Sequence, residues 1–418
     1  MAELIELQSE HKYGRSVRGS GTLLPSLGEI TFLWLPALLV AGGVLLPIIY
    51  LMLRTFGSDL SIWNWIVRTR TLEILARTVL LAVSVTSASI LVAVPMAWLT
   101  VRTDLPLRRL WSLLIPLPLV IPSYVGAYLF VSALGPRGML QGWLEALFGV
   151  QRLPDIYGFP GSLLVLTLMS YPYIYLSARA ALIKMDPSLE EAARSLGHTI
   201  WGTFRRVILP QLRPAIAAGS LLVSLYVLRD FGAVSIMRYN TFTRVIYIQY
   251  RSSFDRASAA ALALILVALT VIILVIELRS RGRGLYRNAN TNGSKPFTSI
   301  NLGKWRWPAL IFCGTIIGLG LVIPAGVLLY WLVRGLLSGE QIAGLITATQ
   351  NSMLASGLAA GLVVLAALPV VVLDVRRPSR LSHLLERATY MAYALPGIVI
   401  ALALVFFGTN YALTLYQT

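Results

Sequence analysis

Arg229 and Asp230 are ionisable side chains inside an otherwise apolar run, residues 214 to 237. Charge is costly in hydrocarbon, so such groups face a bundle interior or a water-filled path and mark polar transport or proton relay. Adjacent helical residues point in different directions, so the two need not pair with each other. The structural alternative is that both snorkel or bond across helices. Tyr171, Tyr173 and Tyr175 surround Pro172. Tyr173 is a candidate for a constriction in the same path, although an aromatic belt at the membrane surface is the favoured reading of the three. Covalent chemistry has no support. The three histidines, His11, His198 and His383, lie far apart in polar segments, and the single cysteine, Cys313, lies in an apolar run. Neither a disulfide nor a thiol cluster can form within the chain, and no metal cage is expected. No G-x-x-x-x-G-K-[ST] stretch is present, so ATP binding is not encoded, and no catalytic residue is assigned.

The chain that must position these groups has 418 residues, 57% hydrophobic and 13% charged, with mean hydropathy +0.74. Soluble domains carry about 25% charged residues, so composition alone indicates a membrane protein. The net charge of +17 is spread in short basic segments between apolar runs. That is the positive-inside pattern, and it argues against nucleic acid as a partner. Nine apolar runs read as spans: 32–53, 76–100, 111–134, 160–182, 214–237, 257–277, 308–333, 347–374 and 389–408. Each approaches or exceeds the roughly 20 residues that cross a bilayer. The polar start, with Lys12, Arg15 and Arg18, reads as a cytoplasmic tail before a retained first span rather than a signal peptide. Trp63 and Trp65 suit an interfacial segment outside. Pro116, Pro118 and Pro122 break the third span, so neighbours must satisfy the freed carbonyls.

Between the fourth and fifth spans lies Leu189-Glu190-Glu191-Ala192-Ala193-Arg194-Ser195-Leu196-Gly197, followed by Val207-Ile208-Leu209-Pro210. Ser188 is the expected N-cap, Glu190 and Glu191 favour the first turn, Gly197 offers a stop, and Pro210 marks a second boundary. Two short helices with a turn would present one surface to an aqueous partner. The spacing Glu191-Ala192-Ala193, Gly197, Val207, Leu209-Pro210 resembles the cytoplasmic coupling loop of permease subunits of binding-protein-dependent ABC importers, departing only at Val207, where isoleucine is common. The resemblance implies that Glu191, Ala192, Ala193, Gly197, Leu209 and Pro210 couple the chain to a separate cytoplasmic ATP-binding subunit. Cofactors would then be ATP and magnesium on that subunit, with none in this chain. An external or periplasmic solute-binding protein is the other implied partner, and the location is the bacterial inner membrane. The bland alternative is an amphipathic connecting loop without a partner.

Asp230-Phe231-Gly232, Asn240-Thr241-Phe242-Thr243 and Ile246-Tyr247 further resemble ferric-iron importer permeases, with Arg229 departing from the small or apolar residue expected there. That subfamily fuses two permease units in one chain. Pro95 and Pro369, Arg102 and Arg376, and Pro122 and Pro396 are each separated by 274 positions, which reads as an internal repeat. The expected fold is an all-α polytopic membrane protein with one complete six-helix permease unit and a partial second repeat of three helices. Its parts are a tail at 1–30, a first unit at 31–278 with the coupling loop at 186–212, a basic linker at 279–306, and the second unit at 307–418. Carrying the offset from Glu191 passes Thr418, so a second permease copy or a further C-terminal half would complete the pathway. Thiamine and polyamine permeases share this plan. A secondary transporter is the reading from another class, but it needs a convergent ion site that the sequence does not offer.

Overall fold

The computed structural model describes residues 33–56, 69–136, 138–150, 153–252, 256–280, 299–339, 343–376, 378–394 and 397–411. The expected tail at 1–30, the Trp63 and Trp65 segment, most of the 279–306 linker and Pro396 lie outside them. Every regular element among the described residues is helical, joined by turns and loops, with one isolated parallel bridge, Thr103 to Ile300. Among the described residues seven helices are long and apolar enough to cross a membrane, or eight when one bent pair counts as a span.

Two compact units divide the chain. The larger, residues 45–350 with 390–418, holds the main apolar core. At its centre the Thr69–Arg102 helix packs on Phe159–Lys184, and both pack on Leu209–Arg229. Side chains without bulk let these backbones close up, the usual solution where lipid supplies no hydrophobic drive between helices. A Cβ on Gly219 would sit 2.7 Å from the Cα of Ile174, so only glycine permits this approach. A bond between Thr86 Oγ1 and Ser224 Oγ, 3.0 Å, ties the same bundle. The smaller unit, residues 1–44 with 351–389, contains most of the Ala343–Arg376 helix and the start of Arg380–Ala394. Helix bounds recur at the spacing seen in the sequence. Thr69–Arg102 and Ala343–Arg376 each have 34 residues and an internal proline, Pro95 or Pro369.

The third run is broken where its prolines stand, as expected: Arg108–Leu114 gives way to a 3-10 turn at Leu117–Val120, and a new helix runs Ser123–Leu134. The prolines cause this by removing donors and fixing φ. The Ile115 carbonyl, freed by the break, accepts the Tyr171 hydroxyl at 2.9 Å. Tyr171 and Tyr175 are fully buried, and the Tyr175 hydroxyl lies 3.3 Å from that of Thr100. These two are core residues, not an interfacial belt. The ninth run, 389–408, falls across the end of one helix, Arg380–Ala394, and most of another, Gly397–Tyr411. The first of these carries Arg380, His383 and Glu386, too polar for a lipid-facing span.

The fifth run is displaced. Its helix runs from Ile200 through a π turn at Phe204–Ile208 to Arg229, stopping short of 237. Pro210 therefore does not break it. Proline lacks an N–H and crowds the carbonyl four residues back, and the wider π turn, with Leu209 N–H bonded to Phe204 O, absorbs both defects. The same device precedes Ile323-Pro324, where a π turn spans Gly318–Val322.

The Tyr171 bond yields a direct expectation. Tyr171→Phe strands a buried carbonyl and should cost about 1–3 kcal/mol. Denaturant unfolding in mixed micelles would read this as a lower midpoint, whereas Tyr128→Phe, on an exposed ring, should leave the midpoint unchanged.

Candidate functional site

The polar segment after the Phe159–Lys184 helix folds as a short helix, Ser188–Ser195. Its N-cap is Pro187, not Ser188 as the sequence suggested; the Asp186 carboxylate instead accepts the Ser188 N–H at 2.9 Å. Asp186-Pro187 outcompetes serine because proline pre-sets the turn backbone while the aspartate side chain caps from one residue further out. Glu190 and Glu191 occupy the first turn as expected. Gly197 ends the helix at φ +85°. The His198 N–H bonds to Ala193 O at 3.1 Å and the Gly197 N–H to Arg194 O at 3.0 Å, a Schellman closure that satisfies the last carbonyls. A Cβ at Gly197 would meet nothing within 4 Å, so the glycine serves the left-handed turn rather than a close helix approach. Thr199 then caps the continuing helix by accepting the Gly202 N–H at 3.1 Å.

This short helix has two unlike faces. Glu190 and Ala193 are buried, whereas Leu189, Glu191, Ala192, Leu196 and Gly197 are exposed, Leu196 at 81%. The inward face is fixed by an ion pair that the sequence did not disclose. Arg102, the last residue of Thr69–Arg102, places Nη2 at 2.8 Å from Glu190 Oε1, with its side chain only 2% exposed. The same nitrogen reaches the Met185 carbonyl at 3.5 Å. Burial pushes the Glu190 carboxyl above its ordinary range, and the facing guanidinium pulls it back. Trp98 meets Phe204 edge-on at 5.7 Å, and Trp201 stacks on Phe204 at 5.5 Å. Together the ion pair and the rings join the end of one spanning helix to both halves of the polar segment. Leu209 and Pro210 lie beyond, in the helix after the π turn, Leu209 half-buried and Pro210 exposed.

Beside this junction, Asp104 gathers the end of the basic linker. It accepts the Leu302 N–H at 2.9 Å and pairs with Arg306 at 2.7 Å, and its own N–H bonds to Ile300 O at 3.1 Å. The Leu302 amide, and after it Arg306, hold the Asp104 carboxyl below its usual range.

The second candidate region has a different character from the one expected. Asp230 lies outside the helix that ends at Arg229, in extended conformation. Its Oδ1 accepts the N–H groups of Ala233 at 2.9 Å and Val234 at 3.4 Å, so it caps the short Gly232–Ile236 helix. Thr243 donates to the Asp230 carbonyl at 2.6 Å. Both polar ends of this buried residue are thus committed to holding the chain. Arg229 is exposed. Tyr173 is half-buried, its ring 5.9 Å from that of Tyr226 on the Leu209–Arg229 helix.

The Arg102–Glu190 pair makes a quantitative expectation possible. Removing one partner of a buried pair leaves an uncompensated charge, so Arg102→Met should destabilise by about 3 kcal/mol. Adding Glu190→Leu should recover most of that loss, because an apolar pair restores the balance. Thermal unfolding of the three proteins would check it; equal midpoints throughout would mean that the pair holds nothing.

Residues 89–279 match the family model described as "Binding-protein-dependent transport system inner membrane component". Over 393 residues, 92% of this chain and 74% of the other, the chain is 35% identical to "Fe(3+)-transport system permease protein FbpB 2" of Haemophilus influenzae. It is 35% identical over 159 residues to "Molybdenum transport system permease protein ModB" of Escherichia coli, covering 37% of this chain and 68% of that one. "Sulfate transport system permease protein CysW" of Escherichia coli is 28% identical over 202 residues, 48% of this chain and 68% of the other. The chain belongs to the binding-protein-dependent transport system inner membrane components, as a multi-pass, non-catalytic permease subunit of the ABC type.

Proposed function

We propose that this permease carries ferric iron inward, driven by a separate ATP-binding subunit that seats on the Ser188–Ser195 helix and supplied by an external solute-binding protein. The observation that supports the seating is the pairing of an exposed Glu191, Ala192, Leu196 and Gly197 surface with a buried anchor at Glu190 and Arg102. A helix held firmly from inside and bare outside can transmit force from a docked partner to the end of the Thr69–Arg102 span. Loose attachment would dissipate the motion in the loop. On this reading ATP and magnesium belong to the partner, and this chain alternates its opening without covalent chemistry.

Iron is favoured as the substrate because the ferric-transport relative matches along 92% of this chain, against 48% and 37% for the sulfate and molybdenum relatives. The organisation we propose is a six-span unit at 31–278, a linker at 279–306 and a second permease unit from 307. Its support is the recurrence of helix bounds, Thr69–Arg102 with Ala343–Arg376 and Ser123 with Gly397 as starting residues. Asp230 then acts on the path indirectly, by fixing the turn that closes the Leu209–Arg229 helix. Thiamine or a polyamine is the competing cargo.

Glu191→Ala removes an exposed carboxylate and should leave abundance and unfolding unchanged while weakening ATPase copurification. Gly197→Asp adds a left-handed strain of roughly 1–2 kcal/mol and a charge on the docking face, and should impair copurification more severely. Normal ATPase binding and normal substrate-stimulated hydrolysis in both would remove the coupling role. For cargo, proteoliposomes with the cognate binding protein should show ferric-iron-dependent uptake; a response to thiamine and not to iron would reassign the substrate and leave the class standing.

A further inference from the structure

The smaller unit contains a polar cluster that coupling does not use. Asp374, His383 and Glu386 place one ligand atom each within 4.8 Å of one another. Asp374 comes from the last turn of the Ala343–Arg376 helix, and the other two stand one turn apart on Arg380–Ala394. His383 Nδ1 lies 2.7 Å from Asp374 Oδ1. The connection between the helices is braced. The Ser379 N–H bonds to Ser382 Oγ at 2.8 Å, and the Ser382 N–H returns to Ser379 Oγ at 3.0 Å. That reciprocal cap fixes the start of the helix that carries His383 and, one turn on, Glu386.

We propose that Asp374, His383 and Glu386 form a binding site for a divalent first-row transition metal ion, with water completing the coordination shell. Two carboxylates and an imidazole suit manganese, ferrous iron, cobalt or zinc, and lack the thiolate or thioether that monovalent copper prefers. Asp374 sits at the negative end of a long helix dipole, where a bound cation would be favoured, with Arg376 in the same last turn. Metal bonds of about 2.0–2.2 Å require the hydrogen-bonded His383 Nδ1 and Asp374 Oδ1 to part slightly and give up the proton between them, while rotation of the flexible Glu386 side chain brings in the third ligand atom. Nor is the cluster a by-product of the recurring helix pattern. The positions 274 residues earlier are Thr100, Arg109 and Ser112, which offer no comparable ligand set. His383 is half-exposed, so the ion has access from water. This site is separate from the transported cargo, and the inference stands whichever solute the permease carries.

Cobalt reports the site directly, because imidazole and carboxylate ligation gives visible d–d bands. The full chain, purified without a polyhistidine tag, should bind one Co2+ saturably, and Zn2+ should compete. His383→Ala and Glu386→Gln should each weaken cobalt binding at least tenfold, with unfolding midpoints unchanged as a control on folding. Absence of saturable bands, or binding unaltered in both variants, would overturn the site and leave His383 and Asp374 as a simple ion pair.

Discussion

A buried charge at the edge of the bilayer governs this structure. Arg102 ends a long apolar helix with its guanidinium almost wholly shielded, a state that is tolerable only with a carboxylate opposite. Glu190 is that carboxylate, and it can reach Arg102 only if the Ser188–Ser195 helix lies with this face inward. The requirement fixes the helix about its own axis. Glu191, one residue on and about 100° around the axis, must then face outward with Ala192 and Leu196. A single ion pair thus sets both the attachment of this helix and the presentation of its outer face. Ordinary surface pairs contribute little of this kind, since water competes for both partners.

The other recurring constraint is the backbone itself, which finds no water to bond in a membrane core. Each proline creates a debt of one carbonyl, and the chain answers in different ways. At Ile115 a tyrosine hydroxyl from a neighbouring helix accepts the task. Before Leu209-Pro210 and Ile323-Pro324 the helix widens into a π turn instead. At Arg229 the helix ends, and Asp230 satisfies the first amides of the next short one. These local solutions determine where the long helices start and stop, and so where the polar segment emerges.

Much of this was legible in the sequence, but unevenly. The apolar runs located the long helices because lipid demands continuous hydrophobicity, and Gly197 announced its turn because few other residues accept positive φ. The loop spacing identified the family that the comparisons then showed. Glu191 drew attention as part of that spacing, yet its neighbour Glu190 makes the buried bond; no local pattern tells which of two adjacent carboxylates has a partner 88 positions earlier at Arg102. Asp230 stood out because it interrupts an apolar run, and the cap it also forms requires a chain break that hydropathy does not encode. Tyr171 resembled an interfacial ring because its acceptor, Ile115, lies 56 positions away. His383 was dismissed as isolated among histidines, when its neighbours in space are carboxylates. For Glu190 and Tyr171 the missing information was a long-range pairing; for Asp230 and His383 it was where the helices break and how the short connection folds.

The central claim is that one face of the Ser188–Ser195 helix is held by the permease and the other receives the ATP-binding subunit. Cysteine cross-linking in the intact complex measures this face by face, in a Cys313→Ala background that removes the only native thiol. With a short thiol-to-amine reagent, Leu196→Cys should couple to the ATP-binding subunit in good yield, and Ala193→Cys, buried on the opposite face, should not. Equal coupling from both positions, or coupling from Ala193→Cys alone, would contradict the account.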